Sequence, residues 1–217
     1  MNIGIILAAG KGKRFGTEIA KQFCYLNNKM IIDYSILAFE NSKNIDKIMI
    51  VASKEWLKEI TNRYPKHIVV EGGKTRQKSA ALGLKNCPKN TDNVLIHDAA
   101  RPFISTDIIN QSITSLKKYE AVVISKQVTD TIMRVKNKKI KKIEKRKEFF
   151  LNQTPQAFKY KLISEAYQKT EKLVTDDISL IDLEKIKCKI IEGENYNIKI
   201  TNAEDIKLAE SILKIVK

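Results

Sequence analysis

The sequence predicts an α/β fold, with a mostly parallel sheet covered by helices on both faces and a β-arm projecting from it. Three observations predict it. Apolar, β-rich runs alternate with segments of three-to-four-residue apolar spacing, the pattern of strands joined by crossover helices. Small-residue or basic loops directly follow three of the runs, on the rim where such sheets bind ligands. From residue 126 the helical period disappears and the chain turns strongly basic.

The first run, "IGIILA" at 3–8, is apolar throughout and reads as a strand buried on both faces. It is far too short to span a membrane and has no cationic segment before it, so neither a signal peptide nor an anchor is expected. This strand runs into "LAAGKGKRFGTEIAKQF", Leu7 to Phe23. Ala8, Ala9, Gly10 and Gly12 let backbone N–H groups point inward, while Lys11, Lys13, Arg14 and Lys21 supply charge, as an anion-wrapping loop requires. Neither the Walker A ending nor the dinucleotide spacing is present, because Gly16 falls one residue late; a basic surface turn is the plainer alternative.

Further strands are expected at 46–52, 67–71, 93–97 and 120–125, with helices at 30–41, 54–64, 75–86 and 105–118 between them. Ser53, and Ser105 or Thr106, are candidate N-caps. The Gly10 loop, "EGGKTRQKS" at 71–79 and "HDAARPF" at 97–103 thereby share one rim. Residues 136–147 hold eight Lys or Arg against one Glu, with Val128, Thr131, Ile132 and Val135 before them and Ile140 and Ile143 among them, and read as an extended hairpin within an arm at 127–150. A helix near 159–172, a short one opening at "TDD" 175–177, strands "KCKIIEG" and "YNIKIT", and a helix from Asn202 with Asp205 at its N3 position complete the chain. The whole is read as one Rossmann-like domain, residues 1–217.

Composition excludes several classes. Cys24, Cys87 and Cys188 are odd in number and form no C-x-x-C pair, so neither a disulfide framework nor a zinc site is indicated, and a cytoplasmic protein is expected. The net charge of +15 raises the possibility of a nucleic-acid partner. Only 6 of the 40 basic residues are Arg, however, and no aromatic residues interleave the arm's cations, so no nucleic acid and no membrane partner are expected. The arginines carry more information: Arg14, Arg76, Arg101 and Arg146 all fall in the segments already singled out, where a planar fork suits phosphate.

Taken in order, "LAAGKGKRF…KQF", "EGG…R…S", "HDAARPF", "TDT", "QTPQAF", "TDD" and "EGENYNIKIT" resemble the 2-C-methyl-D-erythritol 4-phosphate cytidylyltransferases of the non-mevalonate isoprenoid pathway, across nearly the whole chain. The resemblance implies a cytidylyltransferase that joins CTP to a sugar-alcohol phosphate and releases pyrophosphate, using Mg2+. It implies Arg14, Lys21 and Lys199 as the catalytic cations, and Ala8, Ala9, Gly10, Gly12, Gly73, Ser79 and Asp98 around CTP, with Asp98 also next to the metal. Thr131 and Arg146 of the arm, with Thr154 of the "TPQ" turn, match its substrate contacts, and the arm is implied to cross to a partner in a homodimer.

Such a site suits the chemistry. Bringing a second phosphate to a nucleotide is a problem of repulsion, and a phosphate monoester with a second pKa near about 6 needs no strong base. Lys74 departs from the family's usual acidic residue and Ala20 from its frequent Pro. A fused second enzyme, found in some relatives, is not expected. The sister ribitol 5-phosphate cytidylyltransferases are the nearest alternative; a dinucleotide oxidoreductase fails on its glycine spacing.

Overall fold

The computed structural model describes residues 1–10, 12, 15, 19–170 and 172–216. In chain order its elements are β1 (Asn2–Ala8), a small hairpin of β2 (Tyr25–Leu26) and β3 (Lys29–Met30), α1 (Ile31–Glu40), β4 (Lys47–Ala52), α2 (Leu57–Arg63), β5 (Ile68–Glu71) and α3 (Arg76–Lys85). There follow β6 (Asn93–Asp98), α4 (Thr106–Ser115), β7 (Ala121–Gln127), β8 (Met133–Lys136), β9 (Lys139–Ile143), β10 (Phe150–Lys159), α5 (Tyr160–Lys169), β11 (Cys188–Glu192) and α6 (Glu204–Ile215). The main sheet has seven strands in the order β11-β7-β10-β6-β1-β4-β5. β1 pairs in parallel with β4 and β6, β4 with β5, and β7 with β11; β10 alone runs antiparallel, between β6 and β7.

Period-two alternation divides the core between the two faces. Ile6, Ala8, Ile48, Ile50 and Leu95 pack with Ile32, Ile36 and Phe39 of α1 and Ile108 and Ile109 of α4. Their strand neighbours Ile5, Leu7, Met49, Val51, Val94 and Ile96 pack on the other face, with Ala80 and Leu84 of α3 and Ile163 of α5. A third apolar cluster joins α6, through Ala209, Ile212 and Leu213, to Leu26, Ile31, Phe103 and Ile200. Of the candidate caps, Ser105 accepts the Ile108 N–H at 3.2 Å and starts α4. Ser53 instead precedes a short 3-10 turn and makes no capping bond.

Four expectations are corrected. "TPQ" is no turn: it lies inside β10, the strand missing from the sequence reading. Pro155 has no N–H to give a central strand, and it sits where pairing with β7 slips between Asn152 and Gln156, so no ladder bond is lost. "YNIKIT" is not a strand; it crosses the β6–α4 loop, tied by the Ile200 N–H to the Ala100 carbonyl at 2.8 Å. The helix at "TDD" is a single 3-10 turn, Ile178–Leu180. The last helix runs Glu204–Ile215, two residues later than expected, although Asp205 reaches back to the N–H groups of Thr201 and Asn202 as an N3 carboxylate does.

A hairpin forms within residues 127–150, as expected. β8 and β9 pair through a two-residue turn at Asn137 and Lys138, both left-handed, as a tight hairpin requires. Met133 opposes Ile143 and Val135 opposes Ile140, so one face is apolar, and all four are about half exposed. Among the described residues no helix is long and apolar enough to cross a membrane.

Candidate active site

Three loops meet at the carboxyl ends of β1, β5 and β6 and enclose a cavity of about 400 Å³. Ala9, Gly10, Gly12 and Lys21 line it from the first loop, Gly73, Lys74, Thr75, Arg76 and Ser79 from the second, and Asp98, Ala100 and Lys199 from the third side. Gln22, buried, straps the first loop in place: its side-chain amide donates to the carbonyls of Ala8 and Gly10 at 2.5 and 2.8 Å. That fixes the 3-10 turn Lys21–Phe23 and brings Lys21 to the cavity wall. Gly12 adopts φ +61°, a left-handed conformation that few side chains tolerate.

The second loop packs so closely on the first that a Cβ at Gly72 would lie 2.3 Å from that of Ala9. Thr75 caps α3 by accepting the Lys78 N–H at 3.1 Å. Ser79, one turn on, accepts the Gly73 N–H at 3.1 Å and donates to the Thr75 carbonyl at 2.9 Å, so its hydroxyl shapes the loop. Lys74, the departure from the family pattern, faces the cavity.

Asp98 ends β6 and is the electrostatic centre. Its Oδ1 accepts from Arg76 Nε at 2.9 Å and its Oδ2 from Lys199 Nζ at 2.6 Å. Burial alone would push its carboxyl up; the Arg76 and Lys199 charges outweigh burial and hold it well below the usual carboxylate range. Arg76 also reaches Asp177 through both terminal nitrogens, at 2.9 and 2.8 Å, and Asp177 takes the Tyr167 hydroxyl at 2.5 Å. Gln156 holds this acidic turn by accepting the N–H groups of Asp177 and Ile178, at 3.0 and 2.8 Å.

Beneath Asp98 runs a second chain of bonds. His97 Nε2 lies 3.1 Å from the Arg101 carbonyl, so that nitrogen carries the proton and donates it. His97 Nδ1 then accepts from the Thr154 hydroxyl at 3.0 Å, and that oxygen accepts the Asp98 N–H at 3.1 Å. Burial pushes His97 down to about 4, so it stays neutral.

Of the residues expected from the sequence, Ala9, Gly10, Gly12, Lys21, Gly73, Ser79, Asp98 and Lys199 converge on the cavity. Ala8 lies behind it, with its carbonyl taken by Gln22. Thr154 is buried and committed to His97 and Asp98. Thr131 and Arg146 sit exposed at the base of the arm, where Arg146 donates to the Thr129 carbonyl at 2.8 Å, and they do not line the cavity of their own chain. Arg14 lies outside the described residues. Sequence reasoning missed roles for Gln22, Gln156, Tyr167 and Asp177; "KQF" and "TDD" were visible as motifs, but nothing local says what those side chains hold.

Among the described residues no three His, Cys, Asp or Glu side chains cluster to hold a metal. The donor set fits a different kind of site. Mg2+ keeps several waters and commonly takes one carboxylate plus substrate phosphates, which Asp98 at the wall of a cation-lined cavity can supply.

Residues 3–215 match the family described as IspD, 2-C-methyl-D-erythritol 4-phosphate cytidylyltransferase. A protein of that name from Clostridioides difficile (strain 630) is 43% identical over 222 residues, covering 98% of this chain and 94% of its own. Another, from Clostridium novyi (strain NT), is 41% identical over 229 residues, covering 100% of this chain and 98% of its own. Among solved structures, the 4-diphosphocytidyl-2C-methyl-D-erythritol synthase of Anaerococcus prevotii DSM 20548 is similar with a TM-score of 0.87 at 30% identity, over 98% of this chain and 96% of that one.

Proposed function

The chain belongs to the 2-C-methyl-D-erythritol 4-phosphate cytidylyltransferase family, and on that premise we propose that it joins CTP to 2-C-methyl-D-erythritol 4-phosphate, giving 4-diphosphocytidyl-2-C-methyl-D-erythritol and pyrophosphate. The observation that carries the reading is the rim cavity itself, where Gly10, Gly12, Lys21, Lys74 and Lys199 share the wall with one buried carboxylate, Asp98, which Arg76 and Lys199 bond. An oxygen of the sugar phosphate attacks the α-phosphorus of CTP in line; the new P–O bond forms as the bond to the pyrophosphate oxygen breaks. The attacking oxygen is already ionised near neutral pH, so no general base is called for. That agrees with a site whose one histidine, His97, is buried, neutral and tied to protein groups.

In this reading the amides of Gly10 and Gly12 wrap the β- and γ-phosphates, and Lys21, Lys199 and Arg14 neutralise charge that builds at the α-phosphorus. Ala8, Ala9, Gly73 and Ser79 shape the cytosine pocket. Lys74 adds a cation at its edge. Asp98 would hold Mg2+, which when bound supplies charge neutralisation between the two phosphates. Thr154 serves from behind by fixing the Asp98 backbone.

The second substrate is read onto the arm. Its apolar face, Met133, Val135, Ile140 and Ile143, lies exposed in a single chain and needs a surface to cover. A two-fold partner offers one, and the same docking carries Thr131 and Arg146 to the partner's cavity, where Arg146 pairs with the sugar phosphate. The chain is thus read as one domain acting in a homodimer. Pyrophosphate release with CTP, Mg2+ and either 2-C-methyl-D-erythritol 4-phosphate or ribitol 5-phosphate tests the reaction. Release with the first alone is expected; release with the second alone would transfer the chain to the sister activity.

A further inference from the structure

Both oxygens of Asp98 are occupied by cations in the free chain, Oδ1 by Arg76 Nε at 2.9 Å and Oδ2 by Lys199 Nζ at 2.6 Å. Each oxygen keeps a free lone pair, so what opposes a divalent ion at this carboxylate is the charge of the two cations beside it, and moving one of them away removes most of that opposition. The two are not equally displaceable. Arg76 is tied at its other edge by two bonds to Asp177, whose side chain is fully buried and further held by the Tyr167 hydroxyl. A planar fork bonded at both edges cannot swing away without breaking charge-assisted bonds on one of them. Lys199 differs in every respect. Its side chain is 36% exposed, it ends a flexible stem at the cavity wall, and the segment that carries it is irregular. An ammonium is a point charge that can turn to another anion at little geometric cost.

Charge balance points the same way. Asp98 and Asp177 against Arg76 and Lys199 balance among the bonded groups, and Arg101, Lys21 and Lys74 add positive charge nearby, so the free site has no electrostatic need for a metal. A triphosphate entering beside Lys199 offers that ammonium a denser anion, brings several negative charges into the cavity, and once Lys199 turns away Asp98 Oδ2 has lost its bonded cation.

We propose that Asp177 is a positioning residue that pins Arg76 to one oxygen of Asp98, and that Lys199 is a tethered cation holding the other oxygen until nucleotide phosphate draws it off and a divalent ion replaces it. Metal and nucleotide then bind cooperatively, each strengthening the other by the same factor. The inference rests on the reading of Asp98 as the metal's carboxylate.

Mn2+, which shares the oxygen-ligand preference of Mg2+, is the probe, with free Mn2+ read by electron paramagnetic resonance. Without nucleotide, Lys199→Met is expected to bind Mn2+ at least about tenfold more tightly than wild type, since its competitor is gone, and Lys199→Met/Asp98→Asn is expected to lose the gain. With CTP present and no second substrate, wild type should bind Mn2+ through Asp98. Asp177→Asn leaves the bonded groups one positive charge in excess and should weaken that binding several-fold. If Lys199→Met and wild type bind Mn2+ equally while the CTP complex still depends on Asp98, the exchange is overturned and the metal reading stands. Equal Mn2+ binding by CTP-loaded wild type and Asp98→Asn would remove the metal reading, and the exchange with it. Unchanged binding by CTP-loaded Asp177→Asn would overturn the positioning role.

Discussion

Asp177→Ala removes a carboxylate that touches no substrate in the proposed reaction, yet it should be among the most damaging single changes in the chain. The side chain is fully buried and accepts three hydrogen bonds: two from Arg76, at 2.9 and 2.8 Å, and one from Tyr167 at 2.5 Å. Truncation leaves a largely buried guanidinium with one anionic partner in place of two, and a hydroxyl with none. Breaking a buried pair from one side costs about 3–5 kcal/mol, much of it the desolvation of the group left behind. At roughly 2–4 °C per kcal/mol for a chain of this size, the thermal midpoint should fall by about 10 °C. Asp177→Asn keeps the shape and part of the bonding, and should lose about half as much. Scanning calorimetry at neutral pH makes the measurement. A midpoint within about 2 °C of wild type for Asp177→Ala would refute the reasoning, because the Arg76–Asp177 contact would then contribute no more than a surface ion pair.

Lys21→Ala and Lys199→Ala should each lower turnover about a hundredfold, the usual loss of about 3 kcal/mol for one transition-state donor, while CTP affinity changes less; steady-state rates within about threefold of wild type would strip the residue of that role. Gly72→Ala sets a methyl 2.3 Å from the Ala9 Cβ and 3.1 Å from Val51 Cγ1, so it should cost about 1–3 kcal/mol of stability and raise the KM for CTP; normal values of both would mean the two loops part freely. His97 lies lower in the folded chain, at about 4 against an ordinary 6.5, so the unfolded chain takes up the proton first. Stability should therefore fall as pH drops from about 6.5 to 4, by up to about 3 kcal/mol, and urea midpoints should show that slope in wild type and its loss in His97→Gln. Arg146→Ala mixed with Lys21→Ala should regain activity as subunits exchange, since one site of each mixed dimer has both groups; exchanged but inactive dimers would confine the arm to its own chain.

The strands and helices were legible because their signals are local and periodic. "IGIILA" and "KIMIVA" are apolar on both faces because the sheet is covered on both, and the helices between them show the complementary spacing. β10 was hidden for an equally local reason. "FLNQTPQAFK" places Asn, Gln, Thr and Pro where a central strand normally has apolar residues and a full set of N–H donors. Only the sheet shows why they are tolerated: Pro155 sits at a slip in the pairing, Thr154 props Asp98, and Gln156 reaches the Asp177 turn. "YNIKIT" failed in the opposite way, having the alternation of a strand but pairing with no strand of the sheet.

The same division runs through the site. Gly10, Gly12, Lys21, Gly73 and Asp98 could be read in advance because each lies in a short motif after a strand, and a parallel sheet gathers such loops on one rim. What could not be read is the state of those groups. Asp98 in the sequence is a carboxylate at the end of a strand, tied to CTP and a metal only through the family resemblance. In the fold it is an anion closed by two cations, 22 and 101 residues away, one of them tied in turn to an aspartate a further 101 residues from it. No local pattern encodes that arrangement, yet it determines how tightly the carboxylate is held and how far its charge is balanced. The motifs name the groups that line the cavity; residues whose sequence signal is only polarity, Gln22, Gln156, Tyr167 and Asp177, hold those groups and their supports in place.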